Sequence, residues 1–277
     1  MNKDKLRAVC QKLSKETGLS FNAIQTHYFL ESILEKIAAS EENKNFIFKG
    51  GFLLASVIGI RQRNTVDIDF LIRRFSLTEE NIRQKFEKIL KNENDKGVAY
   101  EIQKIEEIRK EDEYGGFRIT VLCRLGNIRQ VIPLDIATGD PITPSEIAYE
   151  YKSIFSDSLF EICAYNIETI LAEKIQTVYQ RGIFNSRSKD FYDVYILFHL
   201  KKSEIDFNNL KKACQNTFKY RNTEFDIDRV LNVLGRLKTE KDLKIRWGSY
   251  QKKFSYAGEI SFDDIIDTAI ELVKNIR

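Results

Sequence analysis

The stretch FKGGFLLASVIGIRQRNTVDIDF, positions 48 to 70, brings together a glycine pair, an arginine, a threonine and two aspartates. Asp67 and Asp69 stand two apart in a β-branched run. A strand alternates its side chains, so both carboxylates share one face while Val66, Ile68 and Phe70 share the other. Two carboxylates held close either raise one pKa or hold a cation. A hard divalent ion such as Mg²⁺ takes carboxylate and nucleotide-phosphate oxygens together. Gly50-Gly51 falls where a strand gives way to a helix, whose N-terminus offers backbone N–H groups and positive partial charge to phosphate. Glycine there lets the backbone approach an anion closely. Each part has a plain alternative, a surface strand with two acids or a tight turn. Their ordered combination is rarer than either.

Further ionisable residues stand where burial is costly. Asp135 interrupts the apolar run VIPLDIAT. If its strand neighbours that of Asp69, it supplies a third ligand or a base for an attacking hydroxyl; the alternative is an aspartate at a strand end near the TGDP turn. In NIETILAEKIQTVYQRG, Ile167, Ile170, Leu171, Lys174 and Val178 fall along one side of a helix, which places Lys174 in an apolar seam. Lysine is rarely buried without a partner, so Lys174 either faces a phosphate or snorkels at the seam's edge. In RGIFNSRSKDFYDVYIL, Asp190, Asp193 and Leu197 share a helix face, from which Asp190 can point toward Lys174. Ser188 is placed to cap that helix, and an acid in its first turn suits the dipole. Arg187 and Lys189 either bind phosphate or are solvated.

Periodicity supplies the elements that position these residues. The first forty residues recur at helix spacing through Phe29, Ile33, Leu34 and Ile37. FIF forms a short strand before Lys49-Gly50-Gly51, and an apolar helix continues through about Ile58. TVDIDFLIR is strand-like, and positions 78 to 92 form an amphipathic helix opened by Thr78. From about 98 to 138 the period changes to two, giving strands at VAYEIQKIEEIR, GGFRITVLCRL and RQVIPLDIAT. YEYKSIF and LFEICAY are weaker strand patterns. Beyond 165 only helices and loops follow. The pattern predicts an α+β protein, with a mixed sheet flanked by helices over 1–164 and a helical bundle over 165–277.

Among 277 residues, 43% are hydrophobic and 12% aromatic, enough for a sizeable core. The net charge of +3 gives no global basic field, so a nucleic-acid partner would have to meet a local patch. The four cysteines are scattered and there are two histidines, which disfavours a zinc site and suits thiols in a reducing cytosol. The N-terminus lacks the apolar core of a signal peptide. The longest apolar stretch, 50 to 60, falls short of the about 20 residues a bilayer requires. A cytoplasmic protein without a membrane partner is expected.

KGG followed by RNTVDIDFLI resembles the signature of the AbiEii/AbiGii-type nucleotidyltransferases. These are toxins of bacterial toxin–antitoxin and phage-defence systems in the DNA polymerase β-like superfamily. AEK around Lys174 and the R…KDxYD element around Asp190 agree with it, and the resemblance covers roughly 45 to 200. It departs at Phe52, where many relatives carry Ser or Thr. The resemblance implies a polymerase-β-like domain, with a nucleoside triphosphate held between it and the helical bundle. It implies Mg²⁺ or Mn²⁺ on Asp67 and Asp69, with Asp135 matched by strand context as a third ligand. Lys49, Gly50 and Gly51 would form the nucleotide-binding turn, the glycines through backbone N–H groups. Arg63 and Thr65 would steady the nucleotide or the DxD strand. Lys174 would stabilise charge on the triphosphate, and Asp190 would position Lys174 or the acceptor. The implied reaction moves a nucleoside monophosphate to a hydroxyl on RNA, such as a tRNA 3′ end, and arrests growth. A separately encoded antitoxin protein is implied as partner.

RLKTEKDLKIRWGSYQKKFSY, positions 236 to 256, interleaves basic residues with Trp247, Tyr250, Phe254 and Tyr256. That mixture suits a nucleic-acid backbone and unpaired bases, making Arg187, Lys189, Lys244, Arg246, Trp247, Lys252 and Lys253 candidates for holding the acceptor. The alternative is a helix whose aromatics are core and whose lysines are solvated, and the two-turn spacing of Trp247 and Phe254 fits it. Rival functions are a non-catalytic nucleotide- or nucleic-acid-binding module of this fold and a protein-modifying nucleotidyltransferase. A third, a metal-dependent nuclease, is disfavoured by the Gly-Gly phosphate turn.

Overall fold

A computed structural model describes residues 1–91, 97–108 and 115–277. The chain divides into two compact units, Met1–Gly139 with Ile147–Ala164 and Asp140–Glu146 with Tyr165–Arg277.

In the first unit, short polar side chains set the helix starts. Asn2 accepts from the Lys5 N–H and opens α1 (Lys3–Thr17). Gly18, at φ 75°, ends it, since the left-handed backbone is open to glycine. Ser20 then accepts from the Ala23 N–H and opens α2 (Phe21–Ala38). β1 (Phe46–Lys49), α3 (Gly50–Ile58) and β2 (Ile68–Ile72) follow, then α4 (Glu79–Leu90), capped by Thr78 as expected. The period-two region forms β3 (Ala99–Ile108), β4 (Gly116–Leu125) and β5 (Ile128–Ala137). The two weaker patterns form β6 (Ile147–Lys152) and β7 (Leu159–Ala164). Positions 92 and 109, which end the expected helix and the first of those strands, lie outside the described residues.

The strands make one mixed sheet in the order β3-β4-β5-β2-β1-β7-β6. β2 is central, antiparallel to β1 and parallel to β5. Phe46, Ile47, Phe48, Ile68, Phe70, Leu71 and Ile72 are all buried, as near-continuous apolar strands must be when both sheet faces are covered. Phe46 meets Phe70 and Phe86 edge-on at 5.8 and 5.3 Å, and each such buried ring contributes about 1.5–3 kcal/mol. Val66, expected with Ile68 and Phe70 on the apolar face, is instead 58% exposed, because β2 begins only at Ile68.

His27 ties α2 to the segment entering β2. Its Nε2 lies 3.0 Å from Asn64 Oδ1, and its ring packs 5.6 Å from that of Phe52. Burial pushes its pKa down from 6.5 to about 4. Between those values the unfolded chain binds a proton that the folded chain refuses, so stability falls as the pH drops. The slope is up to about 1.4 kcal/mol per pH unit. Thermal melts from pH 7 to 4 are expected to show Tm falling through this window. His27→Gln should remove that part of the slope.

The second unit consists of α5 (Ile167–Arg181), α6 (Ser188–Lys201), α7 (Phe207–Tyr220), α8 (Ile227–Thr239), α9 (Lys241–Lys253) and α10 (Phe262–Asn275). Asn166, Asp206, Asp226 and Ser261 cap four of them. Ser188 does not cap α6. The Asn185 side chain accepts from the Arg187 N–H at 2.9 Å and shapes the turn, so the helix starts at Ser188 with Arg187 in the cap position. Among the described residues no helix is long and apolar enough to cross a membrane.

Candidate active site

The glycine turn is built around a carboxylate. Lys49 ends β1 in extended conformation and precedes α3 without a capping side chain. Gly50 follows at φ 75°, and a Cβ there would stand 1.9 Å from Asp69 Oδ2. Only glycine lets the Asp69 carboxylate lie over the start of α3. A Cβ on Gly51 would stand 2.9 Å from Thr65 Oγ1 and 3.6 Å from Arg63 Nη2. The pair thus lets the DxD strand and the segment before it close onto the helix N-terminus. Gly50→Ala combines left-handed strain with that clash and is expected to cost about 2–5 kcal/mol. Gly51→Ala meets a movable hydroxyl and should cost less; thermal melts of the two variants check the order.

Register places four charged residues in one row across the sheet. Asp69 has Lys49 of β1 and Asp135 of β5 as its Cα partners, and Arg118 of β4 faces Asp135 from the other side. Arg118 Nε and Nη2 donate to Asp135 Oδ1 and Oδ2, each at 2.7 Å. These bonds to Asp135, and beyond them the charges of Asp135, Asp67 and Glu106, favour the charged guanidinium. Asp67 stands one residue before β2, and Thr65 Oγ1 donates to its Oδ1 at 2.5 Å. Arg63 is buried, and its Nη1 donates to the Asn64 carbonyl.

Two aspartates offering hard oxygen donors, with Thr65 engaging only one oxygen of Asp67, fit a divalent ion such as Mg²⁺ or Mn²⁺. Asp135 neighbours Asp69 in register, but its oxygens are both engaged by Arg118. No group of three or more metal-binding side chains occurs among the described residues. The donor set at hand is therefore two carboxylates.

In the second unit Lys174 lies in the seam of α5, and its ammonium meets two acids. Its Nζ is 2.7 Å from Asp190 Oδ1 and 2.8 Å from Asp193 Oδ2. The three-residue spacing of the aspartates brings both to one face of α6. Arg187 Nε adds a contact to Asp190 Oδ2 at 3.1 Å. Burial alone would pull the Lys174 pKa down, but Asp193 and Asp190 outweigh it and hold the pKa above its ordinary value.

The C-terminal aromatics pack on one another, with Trp247 in the core and Tyr250, Phe254 and Tyr256 half-buried. Trp247 is buried, donates from Nε1 to the Ile260 carbonyl at 2.8 Å and stacks on Tyr250 at 5.3 Å, which leaves no face for a base. Phe254 closes on Tyr250 at 4.7 Å. Lys244 pairs with Asp263 at 2.8 Å, and Lys253 covers the Phe254 ring at 5.3 Å. Lys252 is exposed, and Lys189 is half-buried.

Arg118 is the site residue that motif spacing misses. A signal for it exists: LGNI makes a tight β4–β5 hairpin, and counting outward from Leu125 opposite Ile128 puts Arg118 opposite Asp135.

A glycine turn on a helix N-terminus, locked against paired aspartates at the centre of a mixed sheet, defines a nucleotidyltransferase. The chain belongs to the family described as "Nucleotidyl transferase AbiEii toxin, Type IV TA system", which matches residues 32–268. The crystal structure of a Helicobacter pylori protein described as a candidate nucleotidyltransferase superposes with a TM-score of 0.53 at 16% identity, covering 93% of this chain and 94% of that one. JHP933 from Helicobacter pylori gives 0.50 at 16% identity, covering 93% and 91%. At such identity the likeness establishes the fold alone. No curated protein matches the chain.

Proposed function

We propose that this toxin-family enzyme transfers a nucleoside monophosphate from a nucleoside triphosphate to a hydroxyl of RNA in the cytoplasm, under control of a cognate antitoxin protein. Residues 1–164, apart from the 140–146 segment that clusters with the second unit, form the nucleotidyltransferase domain, and 165–277 a helical domain that bears Lys174, Asp190 and Asp193. The observation that carries the reading is the Asp69 carboxylate seated over Gly50, at a helix start with no capping side chain. An acid suited to a metal beside a turn suited to phosphate is what supports the reading.

Asp67 and Asp69 would hold Mg²⁺ or Mn²⁺, and the ion would supply positive charge to the phosphates of the triphosphate. Backbone N–H groups at Gly50 and Gly51 take phosphate oxygens. Lys49 adds positive charge at the end of β1, and Arg63 and Thr65 hold the DxD segment. Arg118 orients Asp135 beside Asp69 through two hydrogen bonds, so Asp135 is the third acid of the site, fixed by a guanidinium. Lys174 supplies positive charge to the triphosphate, and Asp190 positions Lys174.

The test combines purified protein, Mg²⁺, each α-³²P-labelled nucleoside triphosphate in turn and total bacterial RNA, with Asp67→Ala/Asp69→Ala as control. Label on an RNA band with wild type alone supports the proposal and identifies the nucleotide. Label on polypeptide would replace RNA by protein as the acceptor. Triphosphate that neither binds nor turns over would overturn the site.

A further inference from the structure

The connection from α5 to α6 and the helix ends that flank it, RGIFNSRSK, carry Arg181, Arg187 and Lys189 and no carboxylate. At its centre Phe184 is 83% exposed, beside Ile183 at 45%. The turn holds the ring outward by construction. The Asn185 N–H bonds the Gly182 carbonyl at 3.1 Å, while its buried side chain accepts from the Arg187 N–H. Arg246 Nη1, from α9, donates to the Ile183 and Asn185 carbonyls at 3.1 and 3.2 Å. The backbone on both sides of Phe184 is clamped. Arg246 binds carbonyls here, so its charge adds to those of the turn; Arg187 shares its charge with Asp190.

We propose that Phe184 is a stacking platform for an unpaired base near the end of a single-stranded RNA acceptor, with Arg181, Lys189 and Arg246 meeting its phosphates. This rests on the RNA-acceptor reading above and adds where that acceptor lies. A ring framed by cations suits a base with its backbone, because every base has a π-face and every nucleotide a negative charge. A protein partner of ordinary interface size needs a far broader apolar surface than two side chains provide. The position is apt as well. The turn links the helix bearing Lys174 to the helix bearing Asp190 and Asp193. Arg181 follows Lys174 by seven residues, about 10 Å of helix, the span of two to three stacked nucleotides at about 3.4 Å each.

Phe184→Trp gives a direct readout, since Trp247, the one natural tryptophan, is buried. Adding single-stranded RNA with a free 3′ hydroxyl should quench the new exposed indole saturably, and the same RNA in a blunt duplex should not. Phe184→Ala should weaken binding of fluorescently labelled single-stranded RNA about 5- to 150-fold, the equivalent of 1–3 kcal/mol per stacked base. Phe184→Tyr should retain it. In the transfer assay Phe184→Ala should raise KM for RNA and leave KM for the triphosphate unchanged. Equal RNA affinity of Phe184→Ala and wild type, with wild type still labelling RNA, overturns the platform alone. Wild type that labels polypeptide and binds no RNA overturns the acceptor reading with it. A Phe184→Ala variant that keeps RNA affinity but loses its protein antitoxin makes the patch a protein-docking site and overturns the proposal.

Discussion

Asp69→Asn is expected to lower nucleotidyl transfer on the order of 10³-fold while leaving the fold intact. The change is isosteric, so the seat over Gly50 is kept and only the charge is lost. A metal-bridged phosphate interaction is worth several kcal/mol in the transition state, which corresponds to that factor. Stability should change little. Asp69 has Asp135 as Cα partner on one side and Lys49 on the other, so a like and an opposite charge offset each other across the strands. Neutralising Asp69 is therefore expected to leave Tm nearly unchanged. A variant with full Tm, weakened Mn²⁺ binding by electron paramagnetic resonance and lost transfer identifies a residue retained for chemistry. Transfer within about tenfold of wild type would remove Asp69 from the metal site.

Lys174→Met has the largest expected effect on stability. Asp190 and Asp193 are almost fully buried, and their common cation is Lys174. Removing one member of a buried ionic cluster strands the others and costs about 3–5 kcal/mol. Replacing the whole cluster by neutral groups costs far less, so Lys174→Met/Asp190→Asn/Asp193→Asn should recover much of the lost Tm. Activity separates the two roles of the lysine. If Lys174 serves the triphosphate, the triple variant stays inactive despite recovered stability; if the cluster is structural, activity returns with Tm. The pH dependence has a defined sign. Because the folded pKa of Lys174 lies above its ordinary 10.5, the cluster's stabilisation is complete below 10.5 and is lost only as pH rises through the folded value. His27 contributes on the acid side instead.

The sequence by itself determined the parts whose cause is local. Alternation and helix spacing follow from backbone geometry within a few residues, so FIF, TVDIDFLIR, the hairpin strands and the α5 and α6 helices were legible. So were the glycine turn, the DxD pair and the approach of Asp190 to Lys174, because each depends on spacing within an element or between consecutive helices. The start of α6 was less legible: Arg187, not Ser188, holds the cap position, and the Asn185 side chain shapes the turn before it by accepting from the Arg187 N–H. Tertiary structure alone decided that β5 lies parallel to β2, bringing Asp135 beside Asp69 from 66 positions away. It decided that the Asp69 carboxylate occupies the space a Gly50 side chain would need, that Trp247 is core, and that Phe184 is held in solvent. Pairing of distant strands and burial of a given ring are set by which whole arrangement covers the most apolar surface while satisfying every polar group, a sum over the chain that no short window of sequence contains.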